Sequence, residues 1–228
     1  MDFAKLQKNI HLAFNNENLL MQAFVHRSYL NEHPEFALDH NERLEFLGDA
    51  VLELVVTEHL FNNFPNPEGE LTNWRASLVN SKILSKLAQG LELDSLLLLS
   101  KGESKDTGKA RQYILANAME SLIGAIYLDK GWDGAKQFIH EFVITELPEI
   151  LDKKLYIDPK SSFQEIAQEK AGVTPTYKVI EEFGPDHAKQ FEVGVYLKNE
   201  LIATGTGSSK QEAQESAATA ALEKNDWK

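Results

Sequence analysis

The feature that most constrains this chain is a series of acidic residues in the sequence HNERLEFLGDAVLE, residues 40–53. Glu42, Glu45, Asp49 and Glu53 follow one another at spacings of three, four and four residues. At 3.6 residues per turn they share one face of an α-helix whose other positions are apolar. Like charges at these spacings destabilise an isolated helix by roughly a few tenths of a kcal/mol per pair. The pattern therefore indicates either a solvated helix face or a divalent-cation site.

Composition limits the class of protein without identifying it. The 228 residues are 43% hydrophobic, which suits one large or two ordinary globular domains. The chain has no Cys, which excludes disulfides and thiolate metal sites and fits a reducing cytoplasm. The longest aliphatic run, residues 96–99, is too short to span a bilayer, and the first fourteen residues resemble no signal peptide. We expect a soluble cytoplasmic protein with no membrane partner.

Net charge by itself does not suggest a nucleic-acid partner. Lys and Arg total 23 against 35 Asp and Glu, a formal charge of −12, whereas nucleic-acid binders usually present a basic surface. An acidic total is compatible with a local basic stripe, and a carboxylate cluster that holds cations adds to the excess. Any RNA binding is expected to depend steeply on divalent cations.

A second helix is predicted over residues 113–128, apolar on nearly all sides. Within it Asn117 and Glu120 are polar at a spacing of three, so their side chains project together. Burying them without partners would cost roughly a few kcal/mol. An ion shared with the first helix would satisfy them.

Two sequences, NERLEFLGDAVLELV at 41–55 and ILANAMESLIGAIYLD at 114–129, resemble the ribonuclease III family of double-strand-specific endoribonucleases. The resemblance implies an all-α catalytic domain that binds Mg²⁺, with Mn²⁺ as a substitute, and no small-molecule substrate. It assigns the metal ligands Glu45, Asp49, Asn117 and Glu120, of which Asp49 and Glu120 are catalytic, and the outer carboxylates Glu42 and Glu68. Among these residues, loss of Glu120 should reduce catalytic activity most.

The same resemblance implies the reaction and the assembly. Phosphodiester hydrolysis would leave 5′-phosphates and short 3′ overhangs, with duplex stems of precursor ribosomal and messenger RNA as substrates. Two such domains form a dimer, and Phe46 matches the residue that inserts into the partner. The alternative interpretation of Phe46 is an ordinary core side chain.

Asn117 departs from the family pattern, which usually has Asp there. An Asn carbonyl can ligate Mg²⁺ but supplies no charge. Either the natural protein has Asn, or an engineered substitution has inactivated the enzyme. The alternative function is a double-stranded RNA-binding protein on a catalytically impaired scaffold, and a third is a structural RNA-associated protein. Asp129 is expected to end the helix and not to replace the missing Asp.

The charged stretch 153–159 ends in a proline and predicts a linker between domain 1–152 and domain 160–228. The second domain has helical period first, then three alternating strands and an Ala-rich helix, an α-β-β-β-α order. The sequences FQEIAQ, GPDHAKQFEV and GTGSSKQEAQESAATAAL resemble the double-stranded RNA-binding domain. That resemblance assigns RNA contacts to Ser161, Gln164, Glu165, His187, Ser209 and Lys210.

This second domain departs from its pattern in charge. Gln211 and Gln214 stand where basic residues are common, and residues 155–228 contain 8 Lys and no Arg against 12 Asp and Glu. We therefore expect modest RNA affinity. The sequence as a whole predicts a multi-domain protein, an all-α endonuclease domain followed by an α+β RNA-binding domain, that acts as a homodimer.

Overall fold

The computed structural model describes residues 2–185 and 189–224. The chain divides into two compact units, Met1–Tyr156 and Ile157–Lys228, and the division falls inside the stretch 153–159. Helices build the first unit, and the second combines two helices with a three-stranded sheet. This architecture confirms the predicted fold class.

The described part of the first unit contains α1 (Phe3–Asn9), α2 (Glu17–Gln22), α3 (Arg27–Glu32), α4 (Glu42–Asn63), α5 (Glu68–Leu78), α6 (Ser81–Gly90), α7 (Gly108–Phe142) and α8 (Leu147–Asp152). The sequence predicts a break between two short helices at Asn15 and Asn16. The structure confirms it, because the Asn16 side chain accepts hydrogen bonds from the first N–H groups of α2. The sequence predicts Thr72 as the cap of α5, which is wrong, because Thr72 lies inside this helix. Pro67 precedes the helix, whose first turn contains Glu68 and Glu70, where acids interact favourably with the helix dipole.

The core of the first unit forms between α4 and α7. One face of α4 is fully apolar and packs on α7, which is buried along most of its first half. The residues of this contact are Leu44, Val51, Leu52, Val55 and Val56 of α4 and Leu115, Met119, Leu122, Ile123 and Ile126 of α7. No helix of the described residues is long and apolar enough to cross a membrane.

Helix α7 is longer than the sequence predicts. It starts at Gly108 and continues to Phe142 through a break at Gly131, whose φ of 71° is in the region that favours glycine. Asp129 therefore lies two residues before the break that ends the first helical segment, close to where the sequence predicts the end. Its carboxylate accepts backbone N–H groups of Asn15 at 2.8 Å and Asn16 at 2.9 Å. Burial alone would raise the pKa of Asp129, but these bonds and Lys130 outweigh it and lower the pKa.

The second unit begins with α9 (Pro159–Ala171), which Asp158 caps and which ends at Gly172 in the left-handed conformation. The strands β1 (Thr176–Phe183), β2 (Gln190–Leu197) and β3 (Glu200–Gly207) pair antiparallel in chain order. The Ala-rich helix α10 (Lys210–Lys224) packs closely on the sheet, since a Cβ at Gly205 would lie 2.1 Å from the Ala217 nitrogen.

Candidate active site and RNA-contact surface

Two glycines set the place where α4 crosses α7. A Cβ added at Gly48 would lie 1.8 Å from the backbone oxygen of Glu120, and one at Gly124 would lie 2.2 Å from that of Leu44. Only glycine permits backbones this close. The crossing is therefore fixed between the carboxylate-bearing turns of α4 and the turn of α7 that contains Asn117 and Glu120.

The crossing brings the four predicted ligands Glu45, Asp49, Asn117 and Glu120 into electrostatic contact. Burial, with the charges of Asp49 and Glu45 added, raises the pKa of Glu120 to about 8. Burial also raises the pKa of Glu45, and the charges of Glu42 and Asp49 raise it further. Among residues 2–185 and 189–224, the charged groups that shift either pKa are all carboxylates. The cluster thus lacks a compensating cation.

Asn117 interacts directly with this cluster. Its side-chain amide lowers the pKa of Glu45 against the effects of burial and like charge, because it favours the ionised carboxylate. An Asp at this position could not donate in its ionised form and would add a further negative charge. Asn117 therefore reduces the repulsion within the cluster while leaving its own carbonyl oxygen as a neutral ligand.

The outer carboxylates have different positions. Glu42 stays beside the cluster, where Arg27 lies 3.8 Å and His40 3.7 Å from its carboxylate. Glu53 turns away to Arg75 of α5. Glu68 lines a groove with Thr57, Leu60 and Phe61, two or more turns beyond Asp49 along α4, so one chain does not bring Glu68 to the cluster.

The donor set fits a hard divalent cation. Carboxylate and amide oxygens are the ligands that Mg²⁺ and Mn²⁺ prefer, and a cation would relieve the like-charge repulsion that raises the pKa of Glu45 and of Glu120. In the described residues, no three Asp, Glu, His or Cys side chains stand close enough together to hold an ion.

The raised pKa of Glu120 predicts how the stability of the metal-free protein depends on pH. The folded state retains a proton that the unfolded chain releases above the ordinary value of 4.5. The free energy of unfolding should therefore decline as pH rises from about 4.5 towards 8. Urea titrations in EDTA at pH 5 and pH 8 measure this decline, and Glu120→Gln should reduce it. Equal declines in both proteins would refute the assignment.

An apolar stripe lies next to the cluster on α4. Phe46 is 82% exposed, Leu54 57% and Phe61 77%, and Ala50 is exposed between them. Their spacing places all four on one helix face, opposite the face that packs on α7. The structure thus excludes the core alternative for Phe46. Phe61 is a member of this stripe that the sequence reasoning did not select.

A buried polar contact that the sequence reasoning missed holds the start of α4. Asn41 is 4% exposed, and its backbone N–H donates to the Val25 oxygen at 2.8 Å. Its side-chain amide donates to the Ala23 oxygen at 3.2 Å, so it does not cap the helix. Ser121 of α7 donates to the Asn41 backbone oxygen at 3.4 Å. These bonds support the position of the carboxylates that follow.

The predicted RNA contacts of α9 share one exposed face. Ser161, Gln164 and Glu165 are all exposed and follow the i, i+3, i+4 spacing. His187 lies outside the described residues. Ser209 accepts the N–H of Glu212 and so caps α10, while Lys210 is exposed at the first position of that helix.

Two further lysines border these contacts and were not selected from the sequence. Lys160 of α9 donates to Gln214 of α10 at 2.6 Å, which joins the two helices. Lys189 pairs with Glu182, as Lys210 does. Both lysines stand over aromatic rings, Lys160 over Tyr177 and Lys189 over Phe191. No sequence signal distinguishes these two lysines, because lysines near aromatic residues are common in protein sequences.

Comparison with known proteins assigns both units. A family model described as Ribonuclease-III-like matches residues 16–147, and one described as Double-stranded RNA binding motif matches residues 159–225. The two models follow one another in the order that the sequence predicts. They cover the cluster on α4 and α7 and the exposed face of α9, respectively.

Relatives of this chain are similar over nearly its whole length. The protein named Ribonuclease 3 from Carboxydothermus hydrogenoformans is 46% identical over 220 residues, 96% of this chain and 93% of its own. Ribonuclease 3 from Campylobacter jejuni is 43% identical over 221 residues, 96% of each chain. A solved nuclease domain of Campylobacter jejuni ribonuclease III aligns with a TM-score of 0.58 and 40% identity, covering 64% of this chain and 99% of that one. That domain is described as flexible in a region involved in dimer formation.

Proposed function

On the premise that this chain belongs to the ribonuclease III family, we propose that it cuts double-stranded RNA at the cluster of Glu45, Asp49, Asn117 and Glu120. The observation that supports this site is the group of carboxylates at the crossing of α4 and α7, where partial burial and mutual repulsion raise the pKa of Glu120 and of Glu45. A protein that only bound RNA would gain nothing from this repulsion. The relatives named Ribonuclease 3 likewise do not favour the alternative of a non-catalytic RNA-binding protein.

The residues of the cluster would have different roles. Glu45, Asp49 and Glu120 would bind Mg²⁺ through carboxylate oxygens and Asn117 through its carbonyl. When bound, the metal supplies Lewis-acid activation of the phosphate and lowers the pKa of water. Glu120 must lose its proton before it can act as a ligand, and its pKa of about 8 couples metal binding to proton release. Asn117 favours the ionised form of Glu45, the form that can act as a ligand.

The products and substrates follow from the family. We assign 5′-phosphate ends with short 3′ overhangs and, as substrates, duplex stems of precursor ribosomal and messenger RNA in the cytoplasm. The second unit would hold the duplex through the exposed face of α9 and the start of α10. Such domains read the shape of A-form RNA across ~16 base pairs, mainly through 2′-hydroxyls and phosphates. Specificity for a duplex would thus come from shape.

A cleavage assay tests this function and the part played by Asn117. A long RNA duplex is incubated with Mg²⁺ or Mn²⁺ and either the parent protein or Asn117→Asp. We expect the parent to cut, and Asn117→Asp to bind the metal more tightly because it adds a charge. A parent that shifts the duplex in a gel without shortening it, beside an Asn117→Asp variant that cuts, would establish the impaired scaffold instead.

We also propose that two copies pair through the apolar stripe of Phe46, Ala50, Leu54 and Phe61. Exposed apolar stripes of this kind mark interaction sites, and homodimers with a twofold axis are the commonest assemblies. A twofold axis near Leu54 would run the two α4 helices antiparallel. Glu68 lines the same groove as Phe61 and would then approach the cluster of the partner copy. Within a single chain, Glu68 and the cluster are far apart.

Phe46→Ala is expected to weaken this dimer by roughly tenfold or more in dissociation constant, because a large buried aromatic anchor is lost. Sedimentation velocity over a concentration series measures the constant. Leu155→Ala removes another exposed apolar side chain, outside α4, and serves as the control. A monomeric parent, or equal effects of both substitutions, would contradict the proposed interface.

A further inference from the structure

One carboxylate of the second unit binds two lysines at the predicted RNA-contact surface. Glu182, near the end of β1, lies 2.7 Å from the ammonium group of Lys189 and 3.0 Å from that of Lys210. Each ammonium contacts a different carboxylate oxygen. Lys189 immediately precedes β2 and Lys210 begins α10, so Glu182 joins three separate elements.

The same two lysines share an aromatic ring. The Lys189 ammonium lies 5.8 Å and the Lys210 ammonium 5.5 Å from the ring centroid of Phe191, within the range of cation–π contacts. Phe191 is also the cross-strand partner of Glu182. Two positive charges are thus held close together by one ring and one carboxylate. Hydrogen bonds from both lysines lower the pKa of Glu182, so the carboxylate is ionised at neutral pH.

This arrangement is what a backbone phosphate would require. A phosphate has two non-bridging oxygens that can each accept from one ammonium, next to the positive end of the α10 dipole. We propose that Lys189 and Lys210 together form a phosphate clamp for duplex RNA and that Glu182 is its internal counterion. Glu182 competes with the RNA phosphate and thereby limits affinity. This inference rests on the proposed RNA contact of Lys210.

The competition is weak enough for RNA to overcome. All three side chains are partly exposed, and ion pairs of this kind contribute little to stability because water and salt screen them. A phosphate has a comparable charge and gains many other contacts along the duplex. Glu182 therefore tunes the affinity and does not block binding. Glu182 thus lowers further an RNA affinity that the acidic composition of this unit already predicts to be modest.

The test measures binding of the full-length protein to a defined RNA duplex in EDTA, where metal-dependent cleavage cannot proceed. Glu182→Gln should lower the dissociation constant by about three- to tenfold at moderate salt. The slope of log affinity against log salt concentration should also become more negative by about one to two, because the freed lysines pair with phosphates. An unchanged or weaker affinity would overturn the proposal, since Glu182 would then only arrange the lysines.

Glu181→Gln is the matched control, because it removes the same charge one residue away. Glu181 is exposed and forms no ion pair within residues 2–185 and 189–224. Its effect should be at most a small fraction of that of Glu182→Gln. Equal gains from the two variants would show a general charge effect and overturn the clamp. Thermal melts of both variants confirm that they remain folded.

Two lysine variants separate this inference from the proposed function. Lys210→Ala should weaken binding, and Lys189→Ala in the Glu182→Gln protein should remove much of the gained affinity. If Lys210→Ala weakens binding but Glu182→Gln does not strengthen it, only the counterion role fails. If Lys210→Ala has no effect, the RNA contact of Lys210 fails, and the clamp fails with it.

Discussion

Glu120→Gln is expected to lower the rate of duplex cleavage by roughly a thousandfold or more while RNA binding is retained. The substitution removes a carboxylate ligand from the cluster, and metal ions contribute several kcal/mol to stabilising such transition states, at about 1.4 kcal/mol per factor of ten. Single-turnover cleavage of a radiolabelled duplex in saturating Mg²⁺ measures the rate. Gel shifts in EDTA measure binding separately, so loss of chemistry can be told from loss of substrate.

The control for this variant is Asp133→Asn. Asp133 is exposed on the same helix α7 but lies beyond the break at Gly131, away from the cluster. It should leave the rate within about twofold, as surface substitutions away from special features have small effects. Glu120→Gln should also be at least as stable as the parent at pH 8, because it relieves repulsion. Undiminished cleavage by Glu120→Gln would exclude this cluster as the active site.

Gly48→Ala is expected to destabilise the first unit by about 3 kcal/mol or more, which is at the upper end for overpacking a core. The added Cβ would lie 1.8 Å from the Glu120 backbone oxygen and 2.8 Å from the Gly124 nitrogen. Backbone atoms cannot move aside as a side chain can, so α4 and α7 must separate. Separation also moves Glu45 and Asp49 away from Glu120. Urea denaturation with a metal titration measures both effects.

Gly69→Ala provides the matched comparison. Gly69 is also in a helix, α5, but no heavy atom lies within 4 Å of a Cβ built there. Gly69→Ala should therefore raise the free energy of unfolding by about 0.5 to 1 kcal/mol, because alanine loses less backbone freedom than glycine on folding. If Gly48→Ala and Gly69→Ala have similar effects, the close helix crossing is wrong. A folded Gly48→Ala protein with full metal affinity would contradict the link between crossing and site.

Local patterns in the sequence predicted most of the elements correctly. The break at residues 15–16, the end of α9 at Gly172 and the α-β-β-β-α order were all readable, because caps, left-handed glycines and period-two strands are local. The prediction was wrong where a local signal was ambiguous. Thr72 has a residue type typical of a cap but lies inside α5. Asp129 does lie next to the break in α7, but no local signal could show that its carboxylate binds backbone N–H groups more than a hundred residues away in sequence.

The candidate site was partly readable for a different reason. Spacing alone grouped Glu42, Glu45, Asp49 and Glu53 on one face, but it could not show that Glu53 pairs with Arg75. It also could not show that Arg27 approaches Glu42. These partners come from other helices, and the distance between helices is not encoded in the periodicity of any one of them. The same holds for Asn41, whose side chain binds Ala23 instead of capping its own helix.

The residue types of this chain set the chemistry available to it: oxygen ligands without thiolates, Asn117 among the carboxylates, and few cations for RNA. How those groups act depends on the tertiary structure. The Gly48–Gly124 crossing buries Glu120 beside two other carboxylates and raises its pKa, since desolvation and repulsion depend on packing. In the second unit, folding places Glu182 between Lys189 and Lys210, because pairing of β1 with β2 and packing of α10 bring distant residues together.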